Sequence, residues 1–348
     1  GTCAFLIKCT SVLDELVAGI TPDTICGYDA KRFEPIICCP TKPVTITAPI
    51  SVSPPQAQTD ERECAEYSQY VYTVKYPSLL SRPVNVSQCA IRSKKLIVGT
   101  TEAKRMEFPH MAAVGYDLQD GDIGWYCGGT LISENFVLTA AHCTDTRAFG
   151  NATWVRLGDL NLVRSDDGAN PRDYRVVERI RHPDFKNPVV YHDIALLRLE
   201  TRVSFNGWIR PACLLTEPST GTMKAIATGW GHLNWEEDEG SSDLKKITIP
   251  VIDWQTCKDK WASDTVNRKL PNGVIADWLI CAGRAAADTC QGDTGGPLVI
   301  HSQPQYYCMY DIVGITSVGK ICGSDVPSLY TRVNNYIPWI ESIVWGQE

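Results

Sequence analysis

No apolar stretch in the 348 residues approaches the ~18 that a helical membrane span needs, which excludes that kind of span. Positive charge is in deficit: 33 Lys and Arg against 40 Asp and Glu leave a formal net charge of −7. Binding to nucleic acid or to an anionic membrane calls for a basic surface, so neither is expected as a partner. No segment recurs at a fixed period, which excludes solenoid and propeller arrays. The chain opens at Gly1 with neither an initiator Met nor a basic and apolar leader, and reads as a mature secreted chain or a trimmed one. What remains is an ordinary globular composition, 44% hydrophobic and 21% charged, in a length that suits about two domains.

Cysteine is the residue in excess. There are 15, and no zinc-ligand spacing accounts for them, so they point to an oxidising compartment and to secretion. Asn85-Val86-Ser87 and Asn151-Ala152-Thr153 are glycosylation acceptor patterns that agree with this. The count is odd, so at least one cysteine lacks a partner within the chain.

Three segments follow one another. Cys3, Cys9, Cys26, Cys38 and Cys39 lie among too few apolar residues to make a core, so disulfides must hold residues 1–40 together. Residues 41–96 read as a linker and activation segment, beginning with a tether rich in Pro, Thr and Ser up to about Thr59. From Ile97 short alternating runs such as "WVRLGDL", "DIALLRL", "KAIATGW" and "DIVGITS" are separated by Gly, Pro, Asn and Asp. That pattern marks an all-β barrel or sandwich. Helix is expected only near "DWQTCKDKW" and in "NNYIPWIESIVWG", where Ile337, Ile340 and Trp345 form an apolar face.

Three pieces far apart in sequence carry chemistry: "LTAAHC" with His142, "DIALLRL" with Asp193 and "GDTGGPL" with Thr294. Acyl transfer needs a nucleophilic oxygen, an imidazole to take its proton, and a carboxylate to fix the imidazole's tautomer and steady its positive charge. It also needs two backbone N–H groups facing the developing oxyanion, here those of Gly292 and Thr294. The remaining histidines, His110, His182, His192, His232 and His301, lack such flanking residues and read as surface or packing groups.

With those motifs in that order, residues 97–348 resemble the chymotrypsin-like serine proteases. The resemblance implies two six-stranded antiparallel barrels with the site between them and a C-terminal helix. It makes Asp288 the carboxylate at the base of the specificity pocket, where a buried negative charge selects Arg or Lys. Ser317-Val318-Gly319 resembles the strand that pairs with substrate backbone, and Ser328 stands where trypsin-like members usually carry Gly. "LIVGT" resembles the activation site: cutting between Leu96 and Ile97 would free an ammonium to pair with Asp293 and order the oxyanion loop. No cofactor is required by this chemistry.

The amino-terminal cysteines resemble the clip domain of arthropod cascade proteases, a six-cysteine motif ending in an adjacent pair before Pro, as in "CCP". Five are present, and the missing first one would precede Gly1. By the family pattern Cys3 joins Cys26, Cys9 joins Cys39, and Cys38 is left without its mate. The same pattern pairs Cys127 with Cys143, Cys257 with Cys281, Cys290 with Cys322 and Cys89 with Cys213, leaving Cys64 and Cys308 for each other. Activation after Leu resembles the clip subgroup upstream in Toll and prophenoloxidase cascades. That implies an upstream activating protease, a downstream zymogen and a serpin inhibitor as partners in a haemolymph-like fluid. Asp159, Asn161, Asp166 and Asp167 resemble the calcium loop of some members, since one loop of carboxylates and carbonyls suits a hard cation; a solvated acidic loop is the other reading.

Threonine at 294 departs from the family's serine. Its extra methyl restricts the rotamers and adds bulk beside His142, and a misplacement of ~1 Å can lower a rate ~100-fold. Three explanations stand open: an introduced change that keeps a zymogen from cutting itself, a natural non-catalytic homologue that binds partners, and a slow threonine-dependent enzyme.

Overall fold

The computed structural model describes residues 2–5, 25–29, 34–39, 59–76, 83–91, 100–217, 223–231, 242–262, 268–283, 294–319 and 326–346. The chain divides into two compact units, residues 1–57 and 58–348. In the first, strands β1 (Thr2–Phe5), β2 (Ile25–Asp29) and β3 (Glu34–Cys39) form an antiparallel sheet with β3 in the centre. Cys3 lies opposite Cys38 across β1 and β3. The bridges expected of Cys3, Cys26, Cys9 and Cys39 fall outside the described side chains.

The second unit starts well before Ile97. Residues 59–76 and 83–91, expected as part of a linker, are folded into it. Helix α1 (Thr59–Tyr67) runs into a 3₁₀ turn over Ser68–Val71, followed by a hairpin of β4 (Tyr72–Lys75) and β5 (Val84–Ser87). Cys64, Tyr67, Ser68 and Val71 are buried at helical spacing. Tyr67 meets the ring of Phe205 edge to face at 5.2 Å and donates its hydroxyl to Glu134 Oε2 at 3.1 Å.

Two closed six-stranded antiparallel barrels follow. After the short β6 (Thr101–Glu102), the first barrel contains β7 (Met111–Asp117), β8 (Ile123–Leu131) and β9 (Phe136–Thr139). The short β10 (Asp145–Thr146) precedes the other three, β11 (Gly150–Leu157), β12 (Arg172–Arg181) and β13 (Ala195–Leu199). Pairing of β11 with β7 closes the ring. The second barrel follows β14 (Cys213–Leu214) and comprises β15 (Lys224–Gly229), β16 (Lys245–Ile252), β17 (Leu279–Ala282), β18 (Pro297–His301), β19 (Tyr310–Val318) and β20 (Ser328–Arg332), closed by β19 with β20. Closure leaves no unpaired edge within either ring. Strand period is plain in β16, where Ile247, Ile249 and Val251 alternate inward onto Ala225, Ile280 and Val313.

Helices form at both places the sequence marks. In α2 (Trp254–Trp261) the Asp253 side chain accepts from Thr256 N at 3.0 Å, and Lys258 and Lys260 occupy the last turn. In α3 (Ile337–Val344) Ile337 and Ile340 are buried, with Trp345 packed partly against the same core.

The disulfides correct two expected pairings. Cys127–Cys143 and Cys257–Cys281 are present, and Cys290 and Cys322 lie outside the described residues. Cys64, however, joins Cys213 rather than Cys308, and Cys89 joins Cys308 rather than Cys213, with Cα separations of 5.4 and 5.8 Å. The reason is local. β14 lies alongside β19 with Cys213 opposite Asp311, so Cys213 and Cys308 are near neighbours and spacing along the chain does not choose between them. Helix α1 settles the choice by burying Cys64 in a cluster with Cys213 and Met309. The hairpin places Tyr72 on Tyr307 and bonds Ser87 Oγ to the Tyr307 hydroxyl, which brings Cys89 to Cys308. Mass-spectrometric mapping of unreduced peptides should recover the 64–213 and 89–308 links. Replacing Cys64 and Cys213 together by Ala should lower stability by ~2–4 kcal/mol; a recovered 64–308 link would contradict this arrangement.

Candidate active site

Both barrels contribute to one cluster. His142 sits in a 3₁₀ turn, Ala141–Cys143, that follows β9, and the turn is pinned by the Cys127–Cys143 bridge. Asp193 lies two residues before β13. Thr294 enters from the second barrel, three residues before β18. Its carbonyl accepts the N–H of Gly128 of β8 at 2.8 Å and lies 3.6 Å from Cys143 Sγ, which places it beside the histidine turn.

Gly295 makes that approach feasible. Its φ of 81° is the left-handed region, and a Cβ there would stand 2.4 Å from Thr139 Oγ1 and 2.6 Å from the Gly128 carbonyl. The Gly295 N–H donates to the Thr316 carbonyl at 2.8 Å, and the Thr316 N–H to that of Gly296 at 2.9 Å, so β19 holds the turn from behind.

Asp193 is 1% exposed. Its Oδ2 is 2.7 Å from His142 Nδ1, and its Oδ1 accepts the His142 N–H at 3.0 Å. Ser317 Oγ of β19 donates to Oδ2 at 2.5 Å, and Thr331 Oγ1 of β20 donates to the Asp193 carbonyl at 2.8 Å. A buried carboxylate is tolerable only when so satisfied. The arrangement fixes the proton on Nδ1 and leaves Nε2 to receive one. Burial pulls the His142 pKa down, but the charge and hydrogen bond of Asp193 outweigh it, and the net shift is upward.

The sequence reading placed Ser317 in a substrate-pairing strand, and the structure gives its side chain a second task on Asp193. Thr331 was missed altogether; no motif surrounds it, and only the closure of β20 on β19 brings it there. Gly319 is exposed just past β19, and Ser328 is fully buried with its hydroxyl lacking a hydrogen-bond partner among the described residues. Asp288, Gly292, Asp293, Leu96 and Ile97 lie outside the described residues. Asn85 and Asn151 are both exposed on strands, accessible to modification.

Most polar atoms of the calcium-loop residues have partners of their own in the fold, although Asp167 Oδ2 is buried without one among the described residues. Asp159 Oδ2 faces Arg156 at 3.4 Å and its Oδ1 accepts the Leu160 N–H. Asn161 Oδ1 accepts two backbone N–H groups and Asp166 pairs with Arg164. The carbonyl of Asp167 is taken by Nε and Nη2 of Arg105. Arg105, Arg156 and Arg164 bring positive charge to the loop.

Two closed barrels with a hydrogen-bonded His–Asp pair and a hydroxyl residue at their junction define a chymotrypsin-like protease fold. The trypsin family model matches residues 97–340, and the chain belongs to that family as a clip-domain member. It is 36% identical over 355 residues to "Serine protease snk" of Drosophila melanogaster, covering 100% of this chain and 77% of that protein. It is 30% identical to "Proclotting enzyme" of Tachypleus tridentatus over 98% of this chain and 86% of the other. "CLIP domain-containing serine protease B10" of Anopheles gambiae is 28% identical over 98% and 90%. Among the described residues no helix is long and apolar enough to cross a membrane.

The upward shift at His142 has a sign that NMR can read. The imidazole should titrate above 6.5, so the His142–Asp193 ion pair stabilises the fold fully below pH ~6.5 and loses that contribution as pH rises through the shifted value. Asp193→Asn leaves burial unopposed and should bring the His142 titration below 6.5. A titration unchanged by that substitution would contradict the assignment.

Proposed function

We propose that this chain is the secreted zymogen of a trypsin-like endopeptidase in an extracellular arthropod cascade, held almost inactive by Thr294. The observation that carries the reading is the fully satisfied Asp193–His142 pair beside the Thr294 turn. A protein that only binds partners has no need to bury a carboxylate against an imidazole.

Cleavage between Leu96 and Ile97 releases the amine that pairs with Asp293. Asp288 then selects Arg or Lys in a downstream zymogen, and the backbone N–H groups of Gly292 and Thr294 take the oxyanion. Ser328 narrows the pocket wall and favours Arg over Lys. His142 takes the hydroxyl proton on Nε2 and returns it to the leaving amine, while Asp193 holds the resulting imidazolium. The relatives' names, a serine protease and a clotting-cascade enzyme among them, support a cascade role and the presence of upstream and downstream proteases.

Because Cys64–Cys213 and Cys89–Cys308 hold residues 59–76 and 83–91 to the barrels, the fragment ahead of the cut remains attached after activation. Thr294 favours a second reading, a clip-bearing adaptor that binds without cutting. Expressing Thr294→Ser, cleaving it to expose Ile97 and assaying a small Arg ester separates the two. The protease reading predicts a gain of ~100-fold or more over the threonine chain, with activity appearing together with an Ile97 terminus. No gain, or a gain accompanied by a Leu96 terminus, would count against it.

A further inference from the structure

A second cluster of polar side chains adjoins the segment that carries Asp193 and takes no part in the triad. His182 follows β12, Asp184 is two residues on, and His192 immediately precedes Asp193. One ligand-bearing atom from each of the three lies within 4.8 Å of the other two, and among the described residues this is the one grouping of its kind.

The donor set is two imidazoles and a carboxylate, which suits a borderline divalent ion and leaves a fourth position for water. His182 Nδ1 accepts the Asp184 N–H at 3.3 Å, a bond it would exchange for the metal, and lies 3.9 Å from Asp184 Oδ2. Two ligands at tetrahedral angle on one zinc ion stand roughly 3.4 Å apart, so a small rotation of the Asp184 side chain closes the gap. That side chain is 71% exposed and free to make the rotation, whereas His182 is mostly buried.

The surroundings are those of a built site. Tyr336 places its hydroxyl 3.1 Å from His192 Nδ1, fixing one ring nitrogen and leaving the other to ligate. Trp278 lies 4.3 Å from the His192 ring and Trp339 5.2 Å from that of His182, giving the cluster an apolar shell. The backbone of His192 is left-handed, with φ at 57°, a conformation that a histidine adopts at a cost and that surrounding structure must enforce. Its carbonyl accepts the Ile194 N–H at 2.8 Å, and the Ile194 carbonyl accepts the His182 N–H at 3.0 Å, so both histidines are tied to the segment that carries Asp193.

We propose that His182, Asp184 and His192 form a zinc-binding site attached to the catalytic aspartate segment. Binding does not depend on the chain being an active protease and is measurable on it as it stands. Calorimetric titration of the metal-free full chain with zinc chloride should show one equivalent bound at this site. Outer partners of zinc ligands alone are worth ~10–100-fold in affinity, so loss of a direct ligand in Asp184→Asn or His182→Gln should weaken binding by at least ~10-fold. The exposed Asp184 change leaves folding intact. Hydrogen exchange over residues 182–194 should slow with zinc in the unaltered chain and not in Asp184→Asn. No zinc binding by the unaltered chain, or equal binding by it and both variants, would overturn the proposal.

Discussion

The carboxylate of Asp193 is the point at which the two barrels agree. It belongs to the first barrel, yet Thr331 of the second bonds the backbone carbonyl of the same residue, and one of the carboxylate's own three hydrogen bonds comes from Ser317, also of the second. The other two come from His142. A charge that deep would be strongly destabilising if left alone, so the barrels must close on each other in a single register for the chain to fold. The same closure that satisfies Asp193 sets the tautomer and tilt of His142 and brings the Thr294 turn against β8. Stability and catalytic geometry therefore rest on one set of bonds.

Much of this is legible in sequence, for physical reasons. Period-two runs such as residues 245–252 bury alternate side chains, and the helix signals at Asp253 and Ile337 are local, so both survive in the fold. The triad fragments are legible because each needs particular neighbours: Gly295 for its left-handed turn, Cys143 for the bridge that pins His142. What stayed hidden depends on contacts between distant parts of the chain. Thr331 acquires its role only through pairing of β19 with β20. Cys213 and Cys308 are neighbours in space, so the choice of partners for Cys64 and Cys89 waits on where α1 and the hairpin dock. The helix itself had a readable signal, Cys64, Tyr67, Ser68 and Val71 at helical spacing, masked by the polar residues between them.

Residues 59–76 and 83–91 are part of the barrel unit, through α1, the hairpin and two bridges. The turn, the glycine, the bridge and the Asp193 network are all in place around Thr294.

A double-mutant cycle in urea unfolding, combining Asp193→Asn with Ser317→Ala, tests the central claim most directly. If the buried carboxylate joins the barrels, the two losses should fall short of additivity by at least ~1 kcal/mol, as expected of residues that share a hydrogen bond. Additivity to within ~0.3 kcal/mol would mean that Asp193 does not couple the barrels.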